Sequence, residues 1–343
     1  MKPQLQEHVD LAQLTTFKMG GTARYFIEVT QAEELKDIFA WIKSEGLPYF
    51  ILSGGSNTIF DDGEFDGVVI RINIEGFKVA EQDQQSCTVQ VGAGEVWDGV
   101  VAKSVEMGLS GIEALSGIPG LAGTAPVQNI GAYGQEISDC LEYLLAFDTQ
   151  TMQIEQISHY SCKFGYRDSI FKSSAKGRYI ITSIVLKLSK QFGTITHYKD
   201  VVEYFSNHSD LQKSPATVRA AVLEIRKSKF ANPADKPNAG SFFKNPIVSS
   251  QTYQAVAMLN PNMPHYPQKD GREKLSAGWL IENCDLKGYK SGRVQVDPKH
   301  ALVLENTGGA KTEELKKLRD YIIQKVHERF GITLEPEPEI VNF

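Results

Sequence analysis

Two glycine-rich stretches carry the residue types that hold phosphates and flat heteroaromatic rings. The first, Ser53-Gly54-Gly55-Ser56-Asn57, follows the apolar run Tyr49-Phe50-Ile51-Leu52. Its glycines let the backbone approach a diphosphate closely, successive N–H groups can form an anion-binding nest, and Ser and Asn add donors. An ordinary tight turn after a strand fits the same five residues. The second stretch runs from Ser116 to Gly134 (SGIPGLAGTAPVQNIGAYG), with five glycines and two prolines among nineteen residues. Its apolar residues imply burial, and a buried irregular segment takes backbone N–H and C=O groups away from ladder partners. A flat ligand rich in donors and acceptors would satisfy them, and loops this long are uncommon unless they are functional. Neither stretch is GxGxxG and the chain has no GxxxxGK[ST], so the Rossmann and P-loop patterns are both missing.

A basic run follows later: Arg226, Lys227, Lys229, Lys236 and Lys244 stand against Asp235 alone. It can supply the local field a polyanionic ligand needs, or it can be a solvated charged loop. Elsewhere charge works against such ligands. The net charge of −6 disfavours nucleic acid and anionic membrane surfaces as partners. Cys87, Cys140, Cys162 and Cys284 form no CxxC pair and the seven histidines form no HExxH, so no metal site is expected. Scattered thiols suit a reducing, cytoplasmic setting. The opening MKPQLQEHVD lacks the apolar core of a signal peptide, and no uncharged apolar run approaches the ~18 residues of a membrane span.

These stretches need elements to position them. At roughly 100–200 residues per domain, 343 residues suggest two or three domains. Thr30 and Glu33 form a capping box that opens a helix with Leu35, Ile38, Phe39 and Ile42 on its apolar face, closed by Gly46. Strands are expected at Tyr49–Leu52, Val68–Ile72, Thr88–Val91, Tyr143–Phe147 and Tyr179–Leu188, with a helix through Val96, Trp97, Val100, Val101 and Val105. Ser214-Pro215 starts another helix with Val218, Ala221, Val222 and Ile225 buried. A loop-rich stretch from Ser228 to Pro246 comes next. Thr312 begins the last long helix, burying Leu315, Leu318, Ile322 and Val326, and a strand is expected at Ile332–Leu334. The mixture is α+β rather than doubly wound.

In order and spacing, SGGSN after a strand followed some sixty residues on by SGIPGLAGTAPVQNIGAYG resembles the flavin signature of the UDP-N-acetylenolpyruvoylglucosamine reductase family. Phe164-Gly165-Tyr166-Arg167-Asp168-Ser169, Asn238-Ala239-Gly240-Ser241-Phe242-Phe243-Lys244-Asn245-Pro246 and Leu334-Glu335-Pro336-Glu337 resemble its later motifs, so the likeness runs from about residue 15 to 340. The resemblance implies a vanillyl-alcohol-oxidase-like FAD-binding domain in two lobes plus an α/β substrate-binding domain. The implied boundaries are 1–75 for lobe 1, 76–227 for lobe 2 completed by 325–343, and 228–324 for the substrate domain. It implies FAD contacts from Ser53, Gly54, Gly55, Ser56 and Asn57 at the pyrophosphate. Along the flavin it implies Ile118, Pro119, Gly120, Gly123, Thr124, Val127, Gln128 and Gly131. Substrate contacts fall to Tyr133, Lys229, Asn245, Tyr266 and Lys287. Tyr198, in Thr196-His197-Tyr198, matches the tyrosine of a subtype whose loop closes over the nucleotide.

The implied reaction reduces UDP-N-acetylglucosamine enolpyruvate to UDP-N-acetylmuramate with NADPH, by way of a hydride from flavin N5. Negative charge then develops next to the substrate carboxylate. Arg167 fits a permanently charged, bidentate clamp on that carboxylate. The resemblance makes Ser241 the proton donor; a turn-capping serine is the plain alternative, and no GxSxG surrounds it. It makes Glu337 catalytic, donating to the carboxylate in its protonated form. Glu335 and Glu339 share its Pro-rich surroundings and stay in contention. No separate dinucleotide fold is apparent, so NADPH is expected to bind where the substrate later sits. A monomer is expected. The rival readings are an alcohol-oxidising flavoenzyme with the same flavin domain and a colourless UDP-sugar-binding module.

Overall fold

The computed structural model describes residues 3–193, 198–229 and 232–343. The chain packs as two compact units. One comprises Met1–Val9, Ala23–Gly54 and Phe65–Ser228; the other comprises Asp10–Thr22, Gly55–Glu64 and Lys229–Phe343.

The first unit holds two sheets. In one, the strands order as Gln6–Asp10, Thr22–Val29, Glu64–Ile72 and Tyr49–Leu52. The last two run parallel, with Tyr49 opposite Val68 and Leu52 opposite Arg71. The helix α1, Glu34–Glu45, lies in sequence between the strands Thr22–Val29 and Tyr49–Leu52. Its Leu35, Ile38, Phe39 and Ile42 are buried with Val68, Ile70 and Ile72. Full burial of side chains this size is worth about 1.5–3 kcal/mol each. Gly46 ends the helix in the left-handed region at φ +65°. The N-terminal cap differs from expectation by one residue: Glu34, not Glu33, accepts from the Gln31 N–H and the Thr30 hydroxyl.

The second sheet is fully antiparallel, ordered Gln153–Ser158, Leu141–Asp148, Tyr179–Ser189, Ser86–Gly92 and Phe77–Gln82. Its central strand is buried almost end to end. It supplies Ile180 to the α1 core and Ile181, Ile184, Leu186 and Leu188 to a second core. That second core takes Trp97, Val100 and Val101 from α2, Trp97–Glu106. Two further helices, α3 (Lys199–Asn207) and α4 (Pro215–Lys229), bury Val201, Phe205, Val218, Ala221, Val222 and Ile225 with Tyr133.

In the second unit, α5 (Ser250–Leu259), α6 (Ala277–Glu282) and α7 (Thr312–Phe330) share one apolar core with Phe242, Phe243, Val294, Val296 and Leu304. One sheet orders Asn238–Ser241, Val303–Asn306, Val294–Val296 and Lys290–Ser291; a second orders Ile247–Val248, Glu273–Leu275 and His265–Pro267. Asp62 accepts the Thr312 N–H at 2.9 Å and so caps α7. Residues 325–343, which the sequence reading joined to lobe 2, pack in this second unit. There Val326, Phe330, Ile332 and Leu334 are buried in the shared core. The strand expected at Ile332–Leu334 does not form. It lies at Glu339–Val341 instead, parallel to Thr58–Phe60. Among the described residues no helix is long and apolar enough to cross a membrane.

Candidate functional site

In the first unit the cradle segments approach each other closely. A Cβ on Gly54 would stand 3.1 Å from Gly120 Cα, and one on Gly123 would stand 2.5 Å from Ala93 Cβ. Glycine at both positions is therefore a packing requirement as well as a conformational one. The Ser53 hydroxyl is buried with no hydrogen-bond partner among the described residues, so a polar ligand group has a donor waiting. Residues of this kind fit the pyrophosphate end of FAD. Gly55, in the second unit, sits at φ +61° with its missing Cβ against the Leu14 carbonyl. Beside it Asn57 donates to the Glu337 carbonyl at 3.3 Å, and its own carbonyl accepts from the Glu339 N–H at 2.9 Å.

The 116–134 segment is irregular, as its composition demands, but much of its backbone is bonded from within the protein. Gly117 N–H donates to Asp98 Oδ1 at 2.6 Å. Ala122 and Gly123 N–H groups bond the Glu95 and Ala93 carbonyls, and Ala122–Thr124 forms a turn of 3₁₀-helix. Val127, Asn129 and Ile130 bond back to carbonyls of Thr124, Pro126 and Ala125. A ligand is not needed to satisfy those groups, so the segment is a preformed wall. Ile118 and Val127 pack against the second core of this unit, and Lys172 donates to Gln128 Oε1 at 3.4 Å.

Arg167 stands at the corner of a tight hairpin. Gly165 and Asp168 exchange backbone hydrogen bonds of 3.0 and 3.3 Å, leaving Tyr166 and Arg167 as the two loop residues. Arg167 takes φ +53°. Its Nη2 donates to the Gly131 carbonyl at 2.7 Å, which fixes the guanidinium against the glycine-rich wall. Ser169, buried, donates to the Val127 carbonyl at 2.6 Å and secures the other side of the hairpin. Tyr133 is buried, and its ring meets Tyr198 edge-on at 5.2 Å between centroids. Thr196 and His197 of the Tyr198 loop lie outside the described residues. Burial raises the Tyr133 hydroxyl above its ordinary pKa, while Arg226, hydrogen-bonded to it, pulls the other way.

In the second unit a bulge aims Ser241. Asn238 pairs with Glu305 and Ser241 with Val303, so three steps on one strand match two on the other. Gly240, at φ +71°, absorbs the extra residue. Asn238 Oδ1 accepts the Gly240 N–H at 2.8 Å and holds the bulge. The chain then pairs with the C-terminal segment: Glu337 N–H donates to the Phe242 carbonyl and Lys244 N–H to the Glu335 carbonyl, both at 2.9 Å. Phe243 lies opposite Pro336. Glu337 therefore lies opposite Phe242, the residue after Ser241, across two antiparallel segments. Of the other two glutamates, Glu335 is exposed and bonded to Lys244 Nζ at 2.5 Å, and Glu339 begins the terminal strand.

The remaining candidates cluster in part. Burial lowers the pKa of the half-buried His300, Asp297 opposes that shift, and the charges of Lys229 and Lys287 reinforce it. Lys287 also bonds Glu282 at 2.6 Å. Asn245 Oδ1 accepts the Ala277 N–H at the start of α6, which directs its amide nitrogen away from that helix. Tyr266 is exposed on the strand His265–Pro267, with Lys274 Nζ 5.7 Å from its ring centroid. Sequence reasoning passed over Asn129 and Asp98, and took Arg226 only as part of a basic run. A polar residue inside an apolar irregular run, and a cation bordering a buried helical stripe, were the available signals.

A cradle closed by glycines, beside an antiparallel sheet, defines an FAD-binding protein, and residues 23–154 match the FAD binding domain family. Residues 232–341 match the C-terminal domain of UDP-N-acetylenolpyruvoylglucosamine reductase. The reductase of that name from Ralstonia nicotianae is 40% identical over 98% of this chain and 99% of its own; that from Chromobacterium violaceum is 39% identical over 99% and 100%. The crystal structure of the Thermus caldophilus reductase superposes with a TM-score of 0.68 at 25% identity, covering 98% of this chain and all of that one. This chain belongs to the UDP-N-acetylenolpyruvoylglucosamine reductase family.

Proposed function

We propose that this protein uses NADPH and FAD to reduce UDP-N-acetylglucosamine enolpyruvate to UDP-N-acetylmuramate, as a monomer in the cytoplasm, without nucleic-acid or membrane partners. FAD, when bound, supplies the hydride. Ser53 through Asn57 hold its pyrophosphate, and Ile118, Pro119, Gly120, Gly123, Thr124, Val127, Gln128 and Gly131 line its ring. The chain's own groups do the rest. Arg167 clamps the carboxylate, where a donor aimed at developing charge is worth roughly 3–4 kcal/mol. Ser241 gives the proton to the adjacent carbon, and Glu337 donates to the same carboxylate. Tyr133, Lys229, Asn245, Tyr266 and Lys287 contact the substrate, and Tyr198 belongs to a loop that closes over the nucleotide. NADPH occupies the substrate's place in turn.

The observation that supports this reading over alcohol oxidation is the backbone pairing of the Ser241 strand with the Glu337 segment, made by the Glu337 N–H bond to the Phe242 carbonyl. The match of residues 232–341 to the reductase's C-terminal domain supports the same choice. Purified protein should be yellow and should turn the enolpyruvyl nucleotide into a product two mass units heavier with one NADPH consumed. Colourless protein, or NADPH oxidation without that product, would overturn the proposal.

A further inference from the structure

Asn129 belongs to the glycine-rich wall, but its side chain faces the Arg167 hairpin rather than the flavin cradle. It is 1% exposed. Its Nδ2 group donates to Glu136 Oε2 at 2.7 Å and to the Gly165 carbonyl at 3.1 Å, and its Oδ1 accepts the Ser138 N–H at 3.2 Å. Both amide hydrogens and the carbonyl are therefore used, and only a primary amide offers that set in one side chain. The Gly165 carbonyl is also the one that closes the hairpin by accepting from Asp168 N–H. Two residues further along the wall, the Gly131 carbonyl takes Arg167 Nη2. One short stretch thus fixes the guanidinium at its head and the hairpin at its base.

We propose that Asn129, oriented by Glu136, is the positioning residue for the Arg167 carboxylate clamp. This rests on the reading of Arg167 as the group that holds the substrate carboxylate. A clamp fixed before substrate arrives stabilises developing charge without reorganising, whereas a loose one loses that advantage through small displacements. Asn129 sits at φ +46°, a conformation that Asp tolerates as well as Asn does. Asn129→Asp therefore leaves the backbone preference intact. It removes both N–H donors and sets a second carboxylate against Glu136.

The test uses the FAD-loaded protein and follows two half-reactions anaerobically, together with amide hydrogen exchange. In Asn129→Asp, reoxidation by the enolpyruvyl nucleotide should slow about tenfold, reduction by NADPH should stay within about twofold, and the Ser138 and Asp168 amides should exchange faster. Adding Glu136→Gln, whose amide can donate to Asp at 129, should recover part of the loss. Equal slowing of both half-reactions, or unchanged exchange at Asp168, would overturn the proposal. If Asn129→Asp does not fold, Glu136→Ala at the half-buried partner should show the same one-sided slowing, about threefold to fivefold, and a symmetric or absent effect refutes it. Arg167→Lys separates the two levels. Normal rates in Arg167→Lys sink the clamp itself, whereas normal rates in Asn129→Asp beside a slowed Arg167→Lys sink only the role of Asn129.

Discussion

Three glutamates alternate with prolines near the C-terminus, and the structure separates them sharply enough for a paired substitution. Glu335 is 70% exposed in its side chain and bonded to Lys244. A surface pair of that kind is worth about 0–1 kcal/mol, so Glu335→Gln should leave folding and turnover nearly unchanged. Glu337 is half-buried, with its backbone tied to the residue after Ser241. If its carboxyl is a donor to developing charge, Glu337→Gln replaces an O–H donor with a weaker amide one. The loss should fall at the low end of the range for a single such donor, about 2.7 kcal/mol, or about 100-fold in rate. The loss should appear in the reoxidation of NADPH-reduced enzyme by the enolpyruvyl nucleotide, read by stopped flow at the flavin band. Reduction by NADPH should be spared. A Glu337→Gln variant that reoxidises at the normal rate, or a Glu335→Gln variant slowed as much, would refute the assignment.

Other expectations follow from packing and charge. A methyl at Gly123 would stand 2.5 Å from Ala93 Cβ, so Gly123→Ala should cost about 1–3 kcal/mol and weaken FAD retention, checked by urea midpoint and bound flavin. Arg219 grips Asp98 through two bonds of 2.6 and 2.8 Å and holds that carboxyl below its ordinary pKa of 3.8, against burial and with help from the Gly117 N–H. A depressed carboxyl stabilises the fold above 3.8 and loses that contribution as pH falls below it. Arg219→Ala should therefore cost about 1–3 kcal/mol at pH 7 and flatten the decline in stability below pH 4. Burial pushes the Cys162 thiol up to about 12 and raises Cys140 and Cys284 as well. At pH 8 these three should resist alkylation until urea is added, and fast labelling of the folded protein would contradict the packing.

Local patterns with one dominant signal were legible. The α1 stripe with its closing glycine, the Tyr179–Ser189 strand and the Thr312 start of α7 each rest on periodicity or capping within a few residues. The expected strand at Ile332–Leu334 failed because alternating Ile and Leu look the same whether they meet a ladder or, as here, a helical core. The strand at Glu339–Val341 depends on Thr58–Phe60, far away in sequence, and nothing local announces it. The glycine-rich segments were legible as special, yet their hydrogen bonding was not, because the acceptors at Ala93, Glu95 and Asp98 come from another stretch of chain. For the same reason the Arg167 motif could be read while its supports, Asn129 and Ser169, could not: their partners are set by tertiary contact.

A single anaerobic mixing experiment decides whether the chain is a reductase of the enolpyruvyl nucleotide. Protein bleached by one equivalent of NADPH is mixed with UDP-N-acetylglucosamine enolpyruvate in the absence of oxygen, and absorbance near the flavin maximum is followed. Return of the yellow colour within the turnover time, matched mole for mole by UDP-N-acetylmuramate, is the expected result. Flavin that stays bleached until air is admitted would contradict it.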